Sequence, residues 1–191
     1  MARSLRLLAL GAVLAGVLAA GGCGANSETG QQEGATTEGS YMELGGLKYQ
    51  VQISRILIPR DIEDQGYLKG LPEGVTTGPG DVWFGVFMRV ENDGEKPLTP
   101  QPDASYAIRD TQDDSFSPVP LDTKVNVFAY QPLRLQPGDV LPRPDSAAGE
   151  GVIQGGLVLF KLKVDDLQNR PLTLRISEGQ SGPSASVQLD L

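Results

Sequence analysis

The chain has 191 residues, no histidine, a single cysteine and a formal net charge of -8 at pH 7. One cysteine cannot form an internal disulfide, and the lack of histidine removes the usual zinc sites and every catalytic centre built on a histidine base. The acidic balance also excludes nucleic acid as an expected partner, because a phosphate backbone is held by an excess of lysine and arginine. We therefore expect neither metal nor cofactor.

Residues 1–22 have the organisation of a secretory signal peptide. Arg3 and Arg6 give a positive start, and an uncharged run from Leu7 to Ala20 follows. A bilayer span needs about 20 apolar residues, so this run is short for a transmembrane helix and fits the apolar region of a signal peptide. We predict that residues 1–22 are removed on export.

The cysteine follows the apolar run in the sequence Ala20-Gly21-Gly22-Cys23. This stretch resembles a bacterial lipobox, a family that prefers leucine where Ala20 stands. The resemblance implies cleavage after Gly22 and a diacylglyceryl group, with palmitate-type chains, on the thiol of Cys23. Two or more acyl chains anchor a protein stably, at about 0.8 kcal/mol per buried CH₂. The alternative is an ordinary signal peptide cut near the same place, in which Cys23 has no function.

Residues 23–40 are predicted to be the acylated cysteine and a flexible tether. The segment after Cys23 contains no residue larger than glutamine. It has too little apolar surface to offset the entropy lost on ordering. Such a tether reaches roughly 20–25 Å. We expect it to hold a domain at the extracellular face of the cell membrane.

Residues 41–191 have the length of one domain, and their dominant pattern has a period of two. Strict alternation from Leu47 to Ser54 predicts a strand with Leu47, Tyr49, Val51 and Ile53 facing the core. The nearly continuous apolar run at 82–91 predicts a central strand covered on both faces at one end, with Trp83 in the core. Further strands are predicted at 106–109, 125–129, 156–164, 171–177 and 185–191.

About seven strands with glycine and proline turns, and no amphipathic helix after the signal peptide, predict an all-β, immunoglobulin-like antiparallel β-sandwich. Several segments resemble the telokin-like, immunoglobulin-like domain of lipoproteins and secreted proteins of Gram-positive bacteria. The resemblance implies this sandwich fold and no shared catalytic residues. Its motifs are Gly46-Leu47-Lys48-Tyr49-Gln50-Val51, the strand Val86 to Asn92 with Pro97 after it, the turn Leu135-Gln136-Pro137-Gly138, and the strand Gly156 to Phe160.

Three acidic clusters, at residues 61–64, 110–114 and 165–166, are candidates for calcium sites. Calcium needs six to eight oxygen atoms that converge on one point, and none of the clusters has the spacing of a calcium-binding loop. Asp110, Asp113 and Asp114 lie between two predicted strands, where a hairpin turn explains them. No metal site is therefore predicted.

Two long connections, residues 59–80 and 130–151, are the better functional candidates. Loops of more than 12–15 residues in a compact domain are usually functional or disordered. Tyr67, Leu68 and Leu71 lie in the first loop and are predicted as an interaction surface on a rigid scaffold. The alternative is that these apolar residues cover the open ends of the sandwich.

The sequence predicts a membrane-anchored, non-enzymatic lipoprotein that binds another envelope protein or an unidentified ligand. One alternative is a small-ligand-binding accessory of a transporter, which requires a closed apolar cavity lined by Trp83 or Tyr67. The other is a hydrolase with paired carboxylates, which requires two acids facing each other across a cleft.

Overall fold

The computed structural model describes residues 36–179 and 181–190. The predicted signal peptide, with Ala20, Gly21 and Gly22 at its cleavage point, lies outside the described residues, as do Cys23 and the tether up to residue 35. Within the described part of the chain, no helix is long and apolar enough to cross a membrane.

Two β-sheets pack face to face, which confirms the predicted β-sandwich. The strands are β1 Thr36–Thr37, β2 Tyr41–Leu44, β3 Leu47–Leu57, β4 Asp81–Glu91, β5 Tyr106–Arg109, β6 Ser115–Phe116, β7 Pro118–Val119, β8 Val140–Leu141, β9 Gly156–Lys163, β10 Thr173–Ser177 and β11 Ser184–Gln188. One sheet has the order β1-β11-β10-β5-β6, and the other has the order β2-β3-β4-β9-β7 with β8 also paired to β4. All these pairings are antiparallel except β1 with β11, which is parallel.

The helical elements are short. The helix α1 covers Ala147–Glu150, and two 3-10 turns cover Asp103–Ser105 and Asp166–Gln168. The side chain of Ser146 caps α1 by accepting a hydrogen bond from the Gly149 N–H at 3.1 Å. None of these elements interrupts the sheets.

The main core lies between the two sheets and is built by the predicted alternation. Leu47, Tyr49 and Val51 of β3 are buried, as are Leu174 and Ile176 of β10. Removal of this apolar surface from water, at about 25 cal/mol per Å², is the main favourable contribution to folding. The side chains facing this core from β4 are Phe84, Val86, Met88 and Val90.

The prediction that Ile53 faces the core is wrong, because β3 contains a β-bulge. Val51 pairs with Met88 whereas Ile53 pairs with Phe87, so Gln52 is an extra residue in β3. An extra residue shifts the alternation by one position and moves every later side chain to the opposite face. Ile53 is accordingly 38% exposed, while Ser54 is buried.

A second apolar cluster covers the outer face of the β2-β3-β4-β9-β7 sheet. Trp83 and Phe87 of β4 project to this face and are buried. The strand β4 is thus covered on both faces, as its continuous apolar sequence predicts. The residues packed over it come from the 59–80 loop and from the segments at 119–128 and 153.

Residues 36–40, which the sequence analysis placed in the tether, contact the edge of the sandwich. Thr36 and Thr37 pair with Val187 and Gln188 of β11. The Glu38 carboxylate accepts hydrogen bonds from the backbone N–H of Asp190, at 3.0 Å, and from the N–H and hydroxyl of Ser54. The ordered domain therefore includes residues before Tyr41.

Replacing Glu38 by alanine is expected to lower the free energy of unfolding by about 1–2 kcal/mol, because three donors lose their acceptor. Glu43→Ala is the matched control, since Glu43 is an exposed glutamate of the neighbouring β2. Urea unfolding monitored by circular dichroism measures the free energy of unfolding of both variants and of the wild type. Equal stabilities for the two would show that the Glu38 contacts contribute nothing.

Candidate functional site

The predicted interaction residues of the 59–80 loop are used in packing. Tyr67 is buried, and its ring makes edge contacts with Phe87 and Phe128 at centroid distances of 5.0 and 4.8 Å. Leu68 and Leu71 are partly buried against the same cluster. The three side chains cover the sheet, so little of them is offered to a partner.

A buried ion pair fixes the start of this loop. Asp64 is 0% exposed, and its carboxylate pairs with the Arg55 guanidinium of β3 and accepts a 2.7 Å hydrogen bond from the Ile58 N–H. The Arg55 side chain is one-third exposed. A buried carboxylate is tolerated only when it is paired with an opposite charge and hydrogen-bonded. Here Arg55 supplies the charge and Ile58 supplies the backbone hydrogen bond.

Asn126 fixes the middle of the loop to a neighbouring turn. Its buried amide donates to the carbonyl oxygens of Tyr67 and Lys69 at 2.8 and 3.0 Å. The predicted strand at 125–129 is wrong: the backbone turns, with the Asn126 N–H bonded to the Asp122 carbonyl at 2.8 Å. Satisfying the loop carbonyls outweighs the strand propensity of Val125 and Val127, which are exposed.

The acidic cluster at 110–114 forms the predicted hairpin turn between β5 and β6. The carboxylate of Asp110 accepts the backbone N–H groups of Gln112 and Asp114, both at 2.9 Å, and the Asn169 side-chain amide at 2.8 Å. These hydrogen bonds lower the pKa of Asp110 against the opposing effect of desolvation, which is the largest single influence. Its oxygen atoms serve the turn. Among the described residues, no group of three or more potential ligands could hold a metal ion.

A concave surface lies along the second long connection. A cleft of about 490 Å³ runs along residues 133–145. Its charged lining consists of Arg134, Asp139, Arg143 and Asp145, and its apolar lining includes Leu133 and Leu141. Trp83 and Tyr67 do not line it, so the residues expected around a small-ligand cavity lie elsewhere.

A smaller apolar notch of about 150 Å³ adjoins this cleft and shares Leu133, Leu141 and Arg143 with it. Val127 and Leu133 line the notch and are 58% and 48% exposed. The helix α1 closes its back through Ser146 and Ala148. Close packing fixes this wall, because a Cβ atom at Gly149 would overlap the carbonyl oxygen of Arg143.

The notch lies at the edge of the sheet opposite the N-terminal edge. The segment 128–130 runs beside β9, with the Tyr130 N–H bonded to the Leu157 carbonyl at 2.9 Å and the Leu157 N–H bonded to the Phe128 carbonyl at 2.7 Å. This is the side of β9 that faces away from β4. Thr36 enters at the other edge, beside β11 and near β2. Within the sheet that contains β2, four strand spacings, about 20 Å, separate β2 from the segment 128–130.

No protein-family model and no curated protein matches the sequence. Among solved structures, the fold is similar to YjhA of Bacillus subtilis, with 15% identity, a TM-score of 0.54 and coverage of 81% of this chain and 99% of that one. YcdA of Bacillus subtilis, a proposed lipoprotein, has 12% identity, a TM-score of 0.51 and coverage of 81% and 39%. An uncharacterised β-sandwich protein of Clostridium difficile has 12% identity, a TM-score of 0.42 and coverage of 85% and 100%. At these identities the likeness establishes the β-sandwich alone.

The length of the 130–151 connection predicts a functional candidate, but the sequence does not predict the notch. The contribution of Val127 was missed because its segment was predicted to be a strand. No local pattern shows that Val127 and Leu133 meet, since their proximity follows from the turn and from pairing with β9.

Proposed function

We propose that the chain is an extracellular lipoprotein, anchored in the cell membrane through acylated Cys23, whose telokin-like, immunoglobulin-like domain takes part in non-catalytic protein interaction. The cleft and notch at the far edge of the sandwich are the observation that carries the interaction role. The leader and the Ala20-Gly21-Gly22-Cys23 stretch support the anchor. YcdA, described as a proposed lipoprotein, supports the same combination of anchor and sandwich.

The placement of the cleft suits a protein tethered at its N-terminus. The tether joins the domain at the β1-β11 edge of one sheet, and the cleft lies beside β8, which pairs with β4 of the other sheet. Binding residues on loops held by a rigid sandwich are a common arrangement for interaction domains. A small-ligand carrier is less well supported, since Trp83 and Tyr67 are packed into the loop-covered cluster.

The anchor is tested by replacing Cys23 with alanine in the full chain and separating membrane from soluble fractions of the producing cells. The wild-type protein is expected in the membrane fraction, and the processed Cys23→Ala protein in the soluble fraction, because no acyl chain remains. Labelling with an alkyne-tagged fatty acid should mark only the wild-type chain. A processed Cys23→Ala protein that stays with the membrane would refute the anchor.

A further inference from the structure

We propose that the cleft and notch bind an extended peptide segment of a partner protein that presents a leucine-sized aliphatic side chain next to a carboxylate. This inference rests on the proposed interaction function and names the chemistry of the partner. Three properties of the surface lead to it: the size of the notch, the arginines beside it and the open edge of β8.

The notch fits one aliphatic side chain. Its volume of about 150 Å³ is below the roughly 300–1,000 Å³ of ordinary small-molecule sites. Its walls include Val127, Leu133 and Leu141, and the first two expose about half of their surface. Insertion of a leucine would remove apolar surface from water on both molecules, as buried anchor residues do at protein interfaces.

The cleft contains Asp139 and Asp145 as well as two arginines, so the case for a carboxylate rests on the arginines whose charge is weakly paired or unpaired. The Asp139 carboxylate accepts the Gln136 N–H at 2.7 Å. Arg134 is exposed and has no hydrogen-bond or ion-pair partner among the described residues. Arg143 lines both cavities and has only an exposed contact with Asp145, at 3.3 Å and with 71% and 76% of the two side chains exposed. Such exposed pairs contribute about 0–1 kcal/mol, so Arg143 can exchange partners at low cost. A guanidinium matches the two oxygens of a carboxylate.

The backbone beside the notch can hold an extended chain. Val140 and Leu141 of β8 pair with Glu91 and Val90 of β4, and none of the described strands pairs with the other edge of β8. Both residues line the cleft, but Leu141 is buried, so the accessible part of this edge is at Val140. A peptide strand added at such an edge gains main-chain hydrogen bonds, and its side chains enter neighbouring pockets. Because β8 has only two residues, the aliphatic side chain and the carboxylate must supply most of the affinity.

The test uses the full chain in detergent and acetyl-Ser-Glu-Leu-Ser-amide, followed by methyl-resolved NMR titration. We expect shifts at Val127, Leu133 and Leu141, and about tenfold weaker binding when the peptide carries alanine for leucine. Glutamine for glutamate in the peptide, and the double variant Arg134→Gln with Arg143→Gln, should each weaken binding by about threefold to fivefold. Arg60→Gln, at an exposed arginine of the other loop, is the matched control and should leave binding unchanged.

Failure of this inference and failure of the interaction function give different results. No peptide-induced shift in the wild-type chain, or equal binding of the three peptides, would overturn the inference. If 4-methylpentanoate bound as tightly as the parent peptide, the inference would be overturned and the ligand would be a small branched carboxylic acid. A second experiment then tests the interaction function in cells. A photo-cross-linking residue is placed at Leu133 and, for comparison, at Val164. A cross-link from Val164 alone would keep an interaction function but place it elsewhere, and no cross-link from either position would count against the interaction function.

Discussion

Replacing Asp64 by alanine is expected to lower the free energy of unfolding by about 3 kcal/mol. The substitution leaves the Arg55 guanidinium and the Ile58 N–H without their shared acceptor. Removing one partner of a buried ion pair costs about 3–5 kcal/mol, and the lower end applies because Arg55 is one-third exposed. The loop that covers Trp83 and Phe87 should then separate from the sheet more readily than the rest of the domain unfolds.

Urea unfolding measures the global effect, and hydrogen exchange at residues 59–80 measures the local one. The free energy of unfolding of Asp64→Asn should lie between those of the wild type and Asp64→Ala. An amide oxygen still accepts the hydrogen bond from the Ile58 N–H but carries no charge to pair with Arg55. Glu63→Gln is the control: Glu63 is an exposed acid of the same turn. Equal stability of Asp64→Ala and Glu63→Gln would refute the structural role given to the buried pair.

The role of Asp64 could not be predicted from sequence, although the strand beside it could. Alternation identifies β3 because side chains project to opposite faces, and that pattern is local. Asp64 stands among Asp61, Ile62 and Glu63, and nothing in this stretch distinguishes the one acid that becomes buried. Its partner Arg55 lies after the bulge at Gln52. The bulge reverses the faces to which the later side chains of β3 project, so the alternation in the sequence does not show where Arg55 points.

The candidate site was less predictable than the fold for the same reason. The apolar run of β4 shows that both of its faces are covered, but it does not show which loop covers the outer face. The sequence therefore predicts Tyr67 as part of an interaction surface, whereas in the structure its ring packs on Phe87. The short strands β6, β7 and β8 have two residues each, too few to show any periodicity. The open edge beside the notch belongs to β8.

Raising the pH above 10 is expected to destabilise the domain steeply because of three tyrosines in the main core. Burial raises the pKa of Tyr49 to about 12, although the hydrogen bond from the Gln101 N–H opposes the shift. Burial raises the pKa values of Tyr106 and Tyr130 further above the ordinary value of 10.0. The rings of these two residues pack edge to face with centroids 5.4 Å apart. All three side chains therefore stay protonated in the folded state at a pH where the unfolded chain ionises.

The direction of the effect follows from proton binding. Each raised pKa contributes stability that is fully present below about pH 10 and decreases as the pH rises toward the folded-state pKa, because only the unfolded chain releases its protons. One tyrosine lowers the free energy of unfolding by about 1.4 kcal/mol per pH unit, and three lower it by about 4 kcal/mol per unit. Urea unfolding between pH 9 and 12 measures this slope, with tyrosinate absorbance recorded in parallel.

Tyr49→Phe separates the contribution of one ring from general alkaline damage. The variant should reduce the slope above pH 10 by at most about a third, because burial also raises the pKa of Tyr67, which lies outside the main core. Tyr41→Phe, at a ring that is 46% exposed, should change the slope less. The pKa of Tyr41 is also raised, chiefly by its hydrogen bond to Glu91 and secondly by desolvation. If all five tyrosines of the chain ionised near pH 10 while the sheets stayed intact, the three core rings would have to be accessible to solvent. The close packing of Tyr49, Tyr106 and Tyr130 between the sheets would then be wrong.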